Sequence, residues 1–269
     1  MRIRGERECS DCGQRWSYYE TGSVSCPACG SLRSTGVGER EQHTADPIEL
    51  DLTRARELAG EDRWEEAIDE AVERCGEYVR RQGFVRGGEL LAFDDTYLAA
   101  AELRAVARAS ERRPGIGLGS GATGVGVGPE AGSGTETKTG SSIGADDAEE
   151  IYLLALLRGA DIGERPSTDV VPAIDAVRAA RALAYASAVR EYRREASGYL
   201  DDHPDPTATT VLGSIAEHTK RVQALDGNAD VGTVETLVAA TKDVGRAIRE
   251  NEEGALATAR DRLDRLSVL

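Results

Sequence analysis

Four of the five cysteines of this 269-residue chain lie between residues 9 and 30, in the stretch CSDCGQRWSYYETGSVSCPACG. Cys9 and Cys12 form one C-x-x-C pair, and Cys26 and Cys29 form a second pair after a spacer of thirteen residues. Two residues between cysteines allow a tight turn to aim both sulfurs at one point, and two such turns supply the four thiolates of a tetrahedral zinc site. The spacing therefore predicts one structural zinc ion bound by these four cysteines.

Disulfides, chance pairs and iron are the alternatives to zinc. The chain is long enough to bury a sizeable core, so it does not need disulfides to stabilise a small fold. The N-terminus lacks the apolar segment of a secretion signal, and no stretch is apolar enough to span a membrane, so we expect a cytoplasmic protein with no membrane partner. Paired cysteines in such a reducing compartment are typical of metal sites. Rubredoxins bind iron through similar turns, but a longer segment normally separates their pairs.

The spacer between the two pairs predicts a β-hairpin. Residues 15–19 form a run of strand formers, Thr21 and Gly22 are typical of a turn, and residues 23–25 would return to the second pair. With short extended pieces on either side, we predict that residues 1–45 form a zinc ribbon.

These two cysteine turns joined by a hairpin resemble ribbons of the archaeal transcription factor B type. The chain also resembles uncharacterised haloarchaeal proteins that carry such a ribbon ahead of a helical region. The resemblance covers about forty of the 269 residues. It implies the same four zinc ligands, Cys9, Cys12, Cys26 and Cys29, and no other residue matches a site of that family.

The composition is strongly acidic, with 48 acidic against 33 basic residues and a formal net charge of -15. This balance disfavours an extended phosphate-binding surface. The acidic, lysine-poor and alanine-rich composition resembles that of proteins from extreme halophiles. The alternative is an ordinary acidic protein encoded by a GC-rich genome.

The aromatic residues of the spacer suggest a contact surface. Strand alternation would place Trp16 and Tyr18 on one face of the hairpin and Tyr19 on the other. One face must cover the ribbon core, and the other is free to contact a partner protein or stacked bases. The candidate interface residues are Trp16, Tyr18, Arg15 and Arg33. Because the first 41 residues carry six arginines and six acidic residues, a protein partner is favoured over nucleic acid.

The remainder of the chain has apolar residues at spacings of three and four, which predict long amphipathic helices. Short polar connections between them favour an antiparallel bundle. The predicted units are a zinc ribbon at 1–45, a helical segment at 46–113, a flexible glycine-rich linker at 114–145 and a helical bundle at 146–269. We expect the two helical parts to share one core. The linker contains a G-x-G-x-x-G match at residues 119–124, but no strand precedes it, as a dinucleotide site would require.

No set of residues in the sequence indicates catalysis. The three histidines His43, His203 and His218 are scattered, and Cys75 lies on an apolar helix face where a buried thiol is expected. We therefore predict a non-enzymatic protein whose ribbon and helical body bind a macromolecular partner. The alternative is a nucleic-acid-associated factor in transcription or translation, and an enzyme with no identifiable site ranks third. The residues that would serve the nucleic-acid alternative are Arg2, Arg4, Arg15, Arg33 and Trp16.

Overall fold

The computed structural model describes residues 1–111, 145–172 and 174–267, so residues 114–144 of the predicted linker lie outside the described residues. A small β region at the N-terminus carries the cysteine cluster, and a mainly helical body follows it, as the sequence predicted. We refer to residues 1–45 as the ribbon and to residues 46–267 as the helical body. Among the described helices, none combines the length and apolar character needed to cross a membrane.

Five short strands form the ribbon: β1 (Arg2–Ile3), β2 (Glu6–Cys9), β3 (Arg15–Ser17), β4 (Ser34–Val37) and β5 (Glu41–Gln42). Strand β2 lies between β3 and β4 and is antiparallel to both, with Arg7 opposite Trp16 on one side and Gly36 on the other. Strands β1 and β5 form a separate antiparallel pair. This arrangement places Cys9 at the end of the central strand, where the first cysteine turn begins.

The predicted hairpin between the cysteine pairs is wrong in its second half. Strand β3 ends at Ser17, and the chain then forms a single helical turn, α1 (Tyr18–Thr21), which ends at Gly22 in the left-handed conformation with φ 62°. Residues 23–25 do not form a strand, and β4 supplies the second neighbour of β2 instead. The Tyr18 N–H still donates to the Gly5 carbonyl (2.7 Å), which extends the β2–β3 ladder by one hydrogen bond. The chain then turns, and the Tyr19 hydroxyl donates to the Ile3 carbonyl (3.0 Å).

Eight helices and one small hairpin build the described part of the body. The helices are α2 (Thr53–Gly60), α3 (Trp64–Arg81), α4 (Asp95–Glu111), α5 (Ala145–Gly159), α6 (Asp175–Leu200), α7 (Pro206–Ala224), α8 (Val231–Glu250) and α9 (Glu253–Ser267). The hairpin pairs β6 (Val85–Arg86) with β7 (Glu89–Leu90). Two short 3₁₀ turns, Ala160–Ile162 and Thr168–Val170, connect α5 to α6.

Some helices of the body begin directly after a capping residue of the sequence, and others do not. The Asp205 carboxylate caps α7 by accepting hydrogen bonds from the backbone N–H groups of Thr207 (2.8 Å) and Ala208 (2.9 Å), as the sequence predicted. At α3 the sequence predicts a cap at Asp62, because Glu65 follows three residues later, and this prediction is wrong. Asp62 has a φ of 59° and belongs to the turn after α2, so α3 begins two residues later.

The core of the helical body is continuous across the two sides of the undescribed segment. Buried residues of α2, α3 and α4 pack in the same cluster as those of α5 to α9. An aromatic group lies within it, where Phe84 contacts Tyr97 and Tyr192, each with ring centroids 4.9 Å apart. Such edge-to-face aromatic packing stabilises the contact between helices that are far apart in sequence.

Candidate metal centre

The two cysteine turns of the ribbon have the same backbone geometry. In the first, the Gly13 N–H donates to the Cys9 carbonyl over 3.0 Å, and in the second the Gly30 N–H donates to the Cys26 carbonyl over 2.9 Å. Gly13 and Gly30 have φ values of 76° and 71°, a conformation that side chains other than glycine rarely adopt. The glycine after each C-x-x-C pair therefore allows the chain to turn back after the second cysteine.

The four cysteine sulfurs converge on one point. All four Sγ atoms lie within 4.8 Å of one another, with 3.7 Å between Cys9 and Cys29 and 3.6 Å between Cys12 and Cys26. Sulfurs bound tetrahedrally at about 2.3 Å from zinc would be separated by about 3.8 Å. None of the four is in a disulfide. The donor set therefore fits one metal ion with four thiolate ligands.

The thiols influence one another strongly because they are so close. The backbone N–H groups of Cys12 and Asp11 point toward the Cys9 sulfur and lower the pKa of the Cys9 thiol to about 7. At Cys29 the backbone N–H of Ser31 acts in the same direction, but the neighbouring thiols and desolvation raise the pKa of Cys29 to about 12. Four thiolates at these distances therefore need a cation to compensate their charge.

Polar side chains around the sulfurs join the two turns. Asp11, in the first turn, accepts hydrogen bonds from the Ser31 hydroxyl (2.5 Å) and from the Arg33 guanidinium (3.0 Å). The Arg33 N–H donates to the Ser31 hydroxyl oxygen over 3.1 Å. Such outer contacts hold the ligand-bearing turns in position and support a metal site beyond its direct ligands.

Trp16 is part of the ribbon core and not of an exposed aromatic face. Its side chain is 7% exposed and packs with Cys9 and Cys26, and its indole N–H donates to the Ser23 carbonyl over 3.0 Å. The expectation that Trp16 contacts a partner is therefore wrong for this structure. Because the ribbon has few apolar residues, the tryptophan beside the sulfurs provides most of the apolar cover for Cys9 and Cys26.

The other candidate interface residues are more accessible. Arg15 and Arg33 have side chains that are 70% and 78% exposed, and each forms an ion pair, with Glu8 (2.6 Å) and Asp11 (3.0 Å) respectively. Tyr18 is half-buried at the edge of the ribbon. A contact role for Tyr18, Arg15 and Arg33 stays a prediction.

The junction between the ribbon and the helical body was missed by the sequence reasoning. The Tyr19 ring fills the space beside two glycines: a Cβ atom on Gly5 would lie 2.2 Å from it, and one on Gly87 would lie 2.8 Å from it. His43 is 2% exposed, and its ring centroid lies 4.9 Å from that of Tyr19. The nearby glycine pair GG at 87–88 was the available signal, because glycines can mark a close approach by another part of the chain.

Backbone hydrogen bonds reinforce this junction. The Thr44 N–H donates to the Val85 carbonyl (2.8 Å), and the Gly88 N–H donates to the Gln42 carbonyl (2.9 Å), so the end of the ribbon is bonded to the β6–β7 hairpin. Glu195 of α6 accepts hydrogen bonds from the Thr44 hydroxyl and from the backbone N–H of Phe84, the residue before β6, each over 2.5 Å. The metal-binding turns are therefore attached to the body through a buried polar connection.

The residues that could have formed a hydrolytic site do not come together. His203 stacks on Tyr199 with ring centroids 4.1 Å apart, and His218 lies on a different helix. Asp202 forms an ion pair with Arg2. Cys75 is fully buried, and burial raises the pKa of its thiol to about 12, which disfavours the thiolate.

A buried polar cluster in the body was not anticipated from the sequence. The Glu102 carboxylate, fully buried on α4, accepts hydrogen bonds from the hydroxyls of Tyr152 and Tyr185 and from the Arg181 guanidinium at 3.0 Å. Arg181 also pairs with Glu235 of α8 over 2.5 Å. Burial raises the pKa of Glu102, and Arg181 opposes this shift. The cluster joins α4, α5, α6 and α8, and its dense internal pairing is typical of a structural network.

The profile of a family of unknown function, DUF7117, matches residues 1–116 and 134–263. Because the match covers most of the chain, including both the ribbon and the helical body, the chain belongs to this family. Neither a curated protein nor a solved structure matches the chain.

Proposed function

We propose that the chain is a non-enzymatic zinc protein in which the ribbon and the helical body together form an interaction module for a protein partner. The observation that supports this proposal most directly is the convergence of four cysteine sulfurs. Four thiolate ligands complete a tetrahedral shell, which leaves no position for water or substrate, so the ion serves structure. A cytoplasmic location is part of this proposal, because paired cysteines in a reducing compartment are typical of metal sites.

Zinc is favoured over iron because the thirteen-residue spacer between the two cysteine pairs is shorter than the segment that normally separates the pairs of rubredoxins. Elemental analysis of protein prepared without added metal should find one zinc ion per chain. The variant C26S should lose the ion, whereas the matched control C75A, which changes the fifth cysteine in the body, should retain it. Iron in the purified protein, or zinc that survives in C26S, would contradict the proposal.

The interaction role is tested by crosslinking in cells followed by identification of copurified proteins. Wild type and C75A should capture the same partner, and C26S should lose it while the helical body stays folded, as monitored by circular dichroism. If C26S retains every partner, the ribbon does not recognise them. If no variant and no wild-type sample captures a reproducible partner, the interaction role is wrong.

A nucleic-acid-associated role is the second candidate, and the exposure of Arg15 and Arg33 on the ribbon favours it. Against it, both arginines are paired with carboxylates of the ribbon, and the chain carries a net charge of -15. Binding to single-stranded RNA or DNA that falls steeply with salt and is weakened in R15Q/R33Q would support this role. Binding to neither nucleic acid would exclude it.

A further inference from the structure

A groove with a volume of about 700 Å³ runs between α4 and α6. Eight of the residues that line it are alanines. On α6 the lining positions recur every three or four residues from Ala176 to Glu191, and on α4 they do so from Tyr97 to Ala109. This span on α6 corresponds to about 22 Å, or four turns of helix. Short side chains therefore leave an elongated apolar trough along two helices.

Positive charge is concentrated at this groove, in contrast to the acidic chain as a whole. Arg104, Arg108 and Arg190 line it, and Arg80 of α3 lies next to Arg104. The Nε atom of Arg104 is buried and has no hydrogen-bond partner among the described residues. Burial, followed by the charges of Arg108 and Arg80, lowers the pKa of Arg104. An anionic group in the groove near Arg104 would offset the repulsion among these arginines.

We propose that this groove docks an acidic amphipathic helix of a partner protein. Its apolar face would pack on the alanines, and its carboxylates would pair with Arg104 and Arg190. The inference rests on the proposed interaction function and names the chemistry of the partner. Small residues allow two helix backbones to approach closely, and a helix that lies in an apolar groove is a common mode of peptide recognition.

A helix fits the shape better than a compact anion does. Four turns of apolar stripe match the repeating contacts of a helix face, which presents a residue every three or four positions. One acidic group in the lining, Glu191, is already paired with Arg194 over 2.5 Å, so it does not oppose an anionic ligand strongly.

The test uses two fluorescent peptides of about sixteen residues, long enough for the four turns of the groove. Both carry leucine at spacings of three and four, and one has glutamate at the flanking positions where its twin has lysine. Because the chain has a net charge of -15, long-range attraction favours the lysine peptide. The proposal predicts the opposite, with the glutamate peptide bound at least about tenfold more tightly at moderate salt, where only nearby charges act.

Substitutions in the groove test where the glutamate peptide binds. Ser187 is exposed in the groove, so S187E should weaken the glutamate peptide by about tenfold or more, whereas S214E, at an exposed serine of α7, should not. R104Q should also weaken it about tenfold, as expected for one charge-assisted hydrogen bond. Equal binding of both peptides, no binding of the glutamate peptide, or binding unchanged in S187E and R104Q would overturn the proposal.

Two other occupants are distinguished by further measurements. If laurate binds and R104Q abolishes its binding while the glutamate peptide does not bind, the groove takes a small anionic amphiphile and the proposal is wrong. If light scattering shows a dimer that S187E dissociates, the occupant is a second copy of the chain and the proposal is wrong. Loss of the copurified partner in C26S but not in S187E would overturn the groove proposal and leave the proposed function intact.

Discussion

The apolar core of the ribbon consists of Cys9, Trp16 and Cys26, whereas the core of the helical body includes buried residues from α2 through α9. Ordering a residue costs about 1–2 kcal/mol of conformational entropy, and burial of a tryptophan and two cysteines cannot offset this cost over some forty residues. We therefore expect the ribbon to depend on a bound metal ion for its stability, whereas the body depends on packing. The two regions should respond differently to the same perturbation.

The largest effect is expected on removal of the metal. C26S or a strong chelator should unfold the ribbon, because a four-thiolate site contributes roughly 10 kcal/mol or more in isolated zinc peptides. The helical body should keep its own thermal transition. In a W64F background Trp16 is the remaining tryptophan, so its fluorescence would report the ribbon. Far-ultraviolet circular dichroism would report the helices, with C75A as the control. Collapse of the helical transition in C26S would show that the junction makes the two regions one cooperative unit.

A substitution in the buried polar cluster should destabilise the helical body and leave the metal site intact. E102A removes the buried acceptor of Tyr152 and Tyr185 and one of the two carboxylates that pair with Arg181. This loss should destabilise the body by about 3 kcal/mol. The matched control is E217A, which breaks the exposed pair of Glu217 and Lys220 and should cost less than about 1 kcal/mol. Denaturant unfolding followed by helical ellipticity would measure both variants, and the zinc content of E102A should stay at one ion per chain. Equal effects of the two substitutions would contradict the structural role of the buried cluster.

A substitution at the junction should weaken the coupling between the ribbon and the helical body. A Cβ atom on Gly5 would lie 2.2 Å from the Tyr19 ring, so G5A should displace the ring and destabilise the contact by about 1–3 kcal/mol. Gly60 has no atom within 4 Å of a Cβ position, and G60A is the control. Hydrogen exchange at Thr44 and Gly88 would detect the loosening. Unchanged protection in G5A would show that Tyr19 does not hold the ribbon against the body.

The smallest expected effect is a pH dependence at the same junction. Burial lowers the pKa of His43 below its usual value of about 6.5, so the folded protein binds fewer protons there than the unfolded chain. Stability contributed by neutral His43 is fully present above pH 6.5 or so and is lost as pH falls toward the lowered pKa. Across this range, the free energy of unfolding of H43Q should depend less steeply on pH than that of the exposed control H203Q. The prediction fails if H43Q leaves the slope unchanged.

Local spacing was sufficient to predict the cysteine cluster, because two residues between ligands and a glycine after each pair determine the turn almost alone. The caps of α7 and α8 were predicted for the same reason, since an aspartate hydrogen-bonds to backbone groups of its own helix. The assumption of strand alternation gave a wrong prediction at Tyr18 and Tyr19. These residues look like part of a strand, but the chain forms one helical turn there, and the Tyr19 hydroxyl bonds to the Ile3 carbonyl, which is distant in sequence.

Features that depend on residues far apart in sequence were not predictable in the same way. Glu102 and Arg181 are 79 positions apart, and Tyr152 comes from a third helix. Each alone looks like an ordinary surface residue on an amphipathic helix. The groove between α4 and α6 has the same origin, because its alanines are unremarkable until the two helices lie side by side.

Burial divides the metal ligands into two kinds. Cys9 and Cys26 are shielded by Trp16, whereas Cys12 and Cys29, the second cysteine of each turn, face the solvent. A chelator or an oxidant therefore reaches the second cysteines first, and departure of the ion should begin there. Metal exchange would proceed in steps, with Cys9 and Cys26 releasing the ion last.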